Sequence, residues 1–196
     1  MKTFATIFIV IFSLMMLTFS TPVKVNAQTK KHRLALYLGA GPNYYFNNLE
    51  IGKGLIQPLN YSFVGRFMWE PGRLITLGIE SGYYQMYTAT YDKVSGEQIR
   101  ISKIAVPIQL VSSIKIWQHY YANFSIGQTS IVSKVNGPSI GSSQSGSWSL
   151  ADFSVGGGYR YMFKSRISVA VEAKFFYSTK YQDGNLGLVF LVGYKF

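Results

Sequence analysis

The sequence predicts an all-β fold: an eight-stranded antiparallel up-and-down transmembrane β-barrel over residues 28–196, behind a cleaved signal peptide over residues 1–27. Three observations predict it. The last twelve residues read N-L-G-L-V-F-L-V-G-Y-K-F, with Leu186, Leu188, Phe190, Val192, Tyr194 and Phe196 on one face of a strand. A strand that faces lipid along its whole length needs such a face. Charged residues are only 14% of the chain, while Tyr and Phe number 15 and 14. No apolar run after the leader approaches the roughly 20 residues of a spanning helix. In lipid every backbone polar group must find a partner, so strands can cross only as a closed barrel.

The leader opens on Met1-Lys2, continues through an apolar core from Phe4 to Leu17 broken by Thr6 and Ser13, and ends in Val25-Asn26-Ala27. Small residues at the −3 and −1 positions place cleavage after Ala27. The core is too short to anchor the chain as a spanning helix. The chain has no cysteine, so neither a disulfide nor lipoprotein attachment is available. The expected location is the outer membrane of a Gram-negative bacterium.

Eight segments then follow, each long enough for a tilted membrane strand. The first, Leu34–Phe46, sets Leu34, Leu36, Leu38 and Ala40 against Ala35, Tyr37, Gly39 and Gly41. Leu59–Trp69 and Arg73–Tyr87 are joined by the turn Glu70-Pro71-Gly72-Arg73, where Pro-Gly is a strong turn signal. Lys103–Ile116 and Tyr120–Val132 are joined by Trp117-Gln118-His119. Trp148–Phe163 alternates Phe153, Val155, Gly157, Tyr159, Tyr161 and Phe163 with Asp152, Ser154, Gly156, Gly158, Arg160 and Met162. After Lys164-Ser165-Arg166, the segment Arg166–Ser178 alternates Ile167, Val169, Val171, Ala173, Phe175 and Tyr177 with Ser168, Ala170, Glu172, Lys174, Phe176 and Ser178. Asn185–Phe196 closes the set. Longer polar stretches lie near Asn47–Pro58, Thr88–Gln98, Ser133–Ser147 and Thr179–Gly184, and short and long connections alternate as in outer-membrane barrels. The low-complexity stretch Gly137–Ser147 reads as a mobile outer loop.

A soluble ligand-carrying barrel alternates equally, with its apolar face inward. Here the polar faces are built from Gly, Ala and Ser with isolated charges, which suits a narrow lumen and not a watery exterior. Trp69, Trp117, Tyr120, Tyr161, Phe163, Tyr194 and Phe196 gather near the short-turn end, like an interfacial girdle.

Several motifs match a known pattern. Lys103-Ile104-Ala105-Val106-Pro107-Ile108-Gln109-Leu110 sets a Pro in an aliphatic strand, and Ile79-Glu80-Ser81-Gly82-Tyr83-Tyr84 carries an acidic residue in the third strand. Gly156-Gly157-Gly158-Tyr159-Arg160-Tyr161-Met162-Phe163 is a general outer-membrane barrel pattern. On these residues the mature chain resembles the small porin-like outer-membrane β-barrel family of Gram-negative bacteria. That resemblance implies a membrane barrel and no particular activity. Tyr194 and Phe196 resemble the carboxy-terminal signal read by the barrel-assembly machinery, an expected partner during biogenesis alongside outer-membrane lipid.

The net charge of +11 falls to +9 when Lys2 and Lys24 leave with the leader. No basic helix or nucleic-acid motif accompanies it, so no nucleic-acid partner is expected. The only histidines, His32 and His119, are far apart and at the short-turn end, which gives neither a catalytic arrangement nor metal-ligand spacing. No catalytic residue, metal or cofactor is expected. Seven charges fall on inward faces: Arg66, Glu80, Lys103, Asp152, Arg160, Glu172 and Lys174. If the sixth and seventh strands pair across Lys164–Arg166, residue 160 opposes 170 and Arg160 lies diagonal to Glu172, within reach of long side chains. Such a set forms either a salt-bridged plug or a gate or binding site for a small solute. Lys30, Lys31, Arg33, Arg73, Lys115, Lys164, Arg166 and Lys195 collect at the short-turn rim against Glu70 alone. Such a rim either contacts anionic phospholipid headgroups or is simply solvated. The functional expectation is a non-enzymatic porin-like or structural, surface-binding barrel. The alternatives are a small-solute channel or an accessory component of an export or surface-assembly machine.

Overall fold

The computed structural model describes residues 33–47, 56–71, 74–92, 98–138 and 141–196. The signal segment, Lys30, Lys31, His32, most of the first long connection and the Gly72-Arg73 turn lie outside the described residues. The strands are β1 (Arg33–Asn47), β2 (Ile56–Gln57), β3 (Leu59–Glu70), β4 (Ile75–Asp92), β5 (Gln98–Lys115), β6 (Tyr120–Gly137), β7 (Gly141–Met162), β8 (Ile167–Ser178) and β9 (Asp183–Lys195).

Every pairing is antiparallel, and the eight long strands close into a ring in which β1 pairs with both β3 and β9 and β4 with β5. The short β2 pairs only with Thr88 and Ala89 of β4. Stepping strand to strand from Leu36 through Phe67, Ile79, Leu110, Ile126, Phe153, Tyr177 and Gly184 returns to β1 at Phe46, ten residues further along. This stagger tilts the strands, at about the 35–45° usual for closed barrels.

Burial alternates along the long strands through the apolar belt and decides which face is out. Leu110 is 68% exposed and its neighbour Gln109 is 1% exposed. The inner face carries Arg66, Glu80, Glu172 and Lys174, while Leu38, Phe63, Phe67, Ile79, Leu188 and Phe190 point outward. A belt of apolar side chains around a polar interior is the inverse of a water-soluble barrel and fits a hydrocarbon solvent. No helix among the described residues is long and apolar enough to cross a membrane.

Two glycines make room inside. A Cβ at Gly156 would meet Asn123 Oδ1 at 2.5 Å and Glu172 Oε1 at 3.1 Å. A Cβ at Gly193 would strike the Tyr37 ring and lie 2.7 Å from Ser168 Oγ. The turn at Lys164–Arg166 is closed by Phe163 N–H donating to the Ile167 carbonyl at 2.8 Å, with Arg166 at φ 66°. A three-residue hairpin uses a left-handed residue in this way.

The long connections differ from expectation. β4, β5 and β6 run 18 residues and β7 runs 22, against 12 to 15 for the other long strands. Gly137–Ser147, expected as a mobile loop, is mostly a paired hairpin: Val135 faces Ser143, Asn136 faces Ser142 and Gly137 faces Gly141. Likewise Thr88–Asp92 pairs with Gln98–Ser102. Ser143, Gln144 and Ser145 are exposed, and so is Lys134 on the facing strand. With no apolar face there is no alternation to read, yet the backbone ladder continues unaffected.

Candidate functional site

The lumen is filled by charged layers. In the middle layer Arg66 and Glu80 are direct cross-strand partners on β3 and β4. Arg66 Nε donates to Glu80 Oε2 at 2.7 Å. Its two terminal nitrogens donate to Glu172 at 3.0 and 2.9 Å. β3 and β8 are separated by β1 and β9, so this fork–fork pair spans the barrel. Lys174 pairs with Glu80, and Tyr121 OH donates to Glu172 Oε2 at 2.7 Å. Two acids and two bases thus neutralise one another, with all four side chains about 1% exposed. Paired and hydrogen-bonded geometry of this quality is what makes buried charge tolerable.

Nearer the short-turn end, Glu70 accepts from Tyr37 OH at 2.7 Å and pairs with Lys195 and, at 3.4 Å, with Arg160. Arg160 Nη1 also donates to Tyr37 OH at 2.9 Å. Its guanidinium carbon lies 4.6 Å from the Tyr37 ring centroid and 4.5 Å from that of Tyr121, so it is stacked as well as paired. Toward the long-hairpin end, Lys103 pairs with Asp183 at 2.6 Å and sits 3.9 Å over the Tyr181 ring. Between these layers Tyr84 stacks on Phe176 at 5.2 Å, and Ser125 and Ser154 both donate to Gln109 Oε1, at 3.2 and 3.0 Å. Asp152, also on an inner face, accepts from Ser149 Oγ at 2.5 Å and from Thr179 N–H at 2.9 Å.

Three placements differ from the sequence reading. Residue 160 does oppose 170, so Glu172 is diagonal to Arg160. The guanidinium nevertheless turns to Tyr37 and Glu70, because Arg66 and Tyr121 occupy Glu172. Glu70, counted with the solvated rim, is buried and belongs to the lumen. Asp183, within the polar stretch Thr179–Gly184 expected as an outer connection, is buried against Lys103. A two-residue step carried forward from Arg66 and Met68 reaches Glu70, and one carried back from Gly187 and Asn185 reaches Asp183. That step would have found both. Tyr37 and Tyr121 carried no distinguishing mark beyond lying on inner faces.

His119 lies in the turn between β5 and β6, with Nδ1 3.2 Å from the Arg160 carbonyl oxygen and its ring against Tyr159 and Tyr161. Among the described residues no group of three His, Cys, Asp or Glu could hold a metal ion. Phe196 N–H donates to the Leu34 carbonyl at 2.9 Å, and the Tyr194 and Phe196 rings meet edge to face at 5.2 Å. Around the short-turn rim Arg33, Lys115, Lys164 and Arg166 are exposed.

No family model and no curated protein matches the chain. Solved structures do. The attachment invasion locus protein Ail of Yersinia pestis, solved with the heparin analogue sucrose octasulfate, superposes with a TM-score of 0.53 at 10% identity, over 85% of this chain and 99% of that one. Neisserial surface protein A superposes with a TM-score of 0.50 at 12% identity, over 83% of this chain and 97% of that one. The chain has the fold of an eight-stranded outer-membrane β-barrel. At these identities the likeness is one of fold.

Proposed function

We propose that this protein is a non-enzymatic outer-membrane barrel with a closed lumen, whose role is to present its long hairpins at the cell surface. The reading includes export by a signal peptide cleaved after Ala27. It also includes recognition of Tyr194 and Phe196 by the barrel-assembly machinery, and residence in outer-membrane lipid with the short turns on the periplasmic side. One observation carries it: Arg66, Glu80, Glu172 and Lys174 tie β3, β4 and β8 together across the lumen, leaving the hairpins as the feature free to meet other molecules. The exposed tip Ser142–Ser145 stands beyond the apolar belt on the extended β6–β7 ladder.

The chain has no cysteine, so a single Gln144→Cys variant is a clean probe. In intact cells a membrane-impermeant maleimide should label it, and the labelled band should be heat-modifiable and fractionate with outer membranes. Labelling only after permeabilisation, or recovery in the soluble fraction, would overturn the proposal.

A further inference from the structure

Asp152 is fully buried on the inner face of β7 and, among the described residues, is the lumen carboxylate that no Lys or Arg pairs. Its Oδ1 is occupied by Ser149 Oγ, Thr179 N–H and, at 3.4 Å, Thr179 Oγ1. Its Oδ2 is buried with no donor. The hydroxyl oxygens of Thr129 and Ser178, both in fully buried residues, likewise have no partner.

Register brings these three together. Thr129 of β6 faces Ser149, and Gly127 faces Asp152. The β7–β8 ladder ends at Phe153 and Tyr177, Asp152 and Ser178 are the next residues in that register, and Thr179 N–H donating to Asp152 Oδ1 holds the two segments together there. Between the Gly127 and Thr129 rungs β7 carries an extra residue, and Leu150 and Ala151 both point outward. This β-bulge turns Ser149 and Asp152 inward together, and bulges are features that re-aim side chains at sites.

A buried charge is either paired or coordinates a cation. The free atoms here are all oxygens, which suits a hard ion. They carry a single negative charge, whereas Ca²⁺ sites draw on 6–8 oxygens and usually several carboxylates. We propose that Asp152 Oδ2, Thr129 Oγ1 and Ser178 Oγ form a binding site for a hard monovalent cation, Na⁺, inside the long-hairpin half of the barrel.

The test is the heat-unfolding midpoint of the micelle-folded protein, read by gel shift in NaCl and in N-methylglucamine chloride of equal ionic strength. The wild type should unfold roughly 2–4 °C higher in NaCl. Asp152→Asn keeps an Oδ1 acceptor for Ser149 and Thr179 and removes the charge, so the difference should vanish while the barrel still folds. Thr129→Val should also lose it, and carries the comparison if Asp152→Asn does not fold. Equal wild-type midpoints in the two salts would overturn the proposal. So would an undiminished sodium increment in the variants, which would be a general salt effect.

Discussion

The guanidinium of Arg66 grips Glu172 across the lumen through two nitrogens, at 3.0 and 2.9 Å, although the residues are 106 positions apart in the chain. Breaking such a buried pair from one side leaves an uncompensated charge, which costs about 3–5 kcal/mol. Glu172→Gln should lower the urea midpoint followed by tryptophan fluorescence accordingly. The double variant Arg66→Met/Glu172→Leu removes both charges and leaves Glu80 with Lys174, so most of the loss should be recovered.

Tyr37→Phe should destabilise the barrel by about 1–3 kcal/mol, because it removes the donor to Glu70 and the acceptor for Arg160 in one step. Tyr121→Phe should show a loss of the same kind, through Glu172. Midpoints equal to wild type in both would mean that the tyrosine hydroxyls do not support the charged layers.

Gly193→Val should sharply reduce the yield of folded, heat-modifiable protein, since its side chain would strike the Tyr37 ring. Gly156→Val should do the same by crowding Asn123 and Glu172. Gly146→Ala is the control: a Cβ there meets nothing within 4 Å, and the change should stay within about 0.5 kcal/mol.

Gln182 holds a φ of 54° in the turn between β8 and β9. Left-handed backbone is unfavourable for residues with a Cβ, so Gln182→Gly should stabilise the protein by roughly 1 kcal/mol. A lower unfolding midpoint in this variant would show that the Gln182 side chain contributes more than the backbone conformation costs.

The strand faces were legible because lipid outside and a narrow lumen inside impose a two-residue period, as Leu110 and Gln109 illustrate. The β7–β8 register was legible from one tight turn, which sets Arg160 opposite Ala170. Pairing across the lumen was not, because Arg66 and Glu172 stand on strands that are not neighbours. Closure and tilt decide which charges meet, and neither is a local property of the chain. Glu70 and Asp183 escaped because they sit where the strands were expected to stop. The β6–β7 hairpin escaped because Ser, Gly and Gln beyond the apolar belt pair through their backbones without leaving a face to read.

The closed lumen is tested most directly by single-channel recording of the folded protein in planar bilayers. The layered ion pairs predict no reproducible conductance step from the wild type. A stable step of uniform size, altered in Arg66 or Glu172 variants, would contradict a closed lumen and identify the barrel as a small-solute channel.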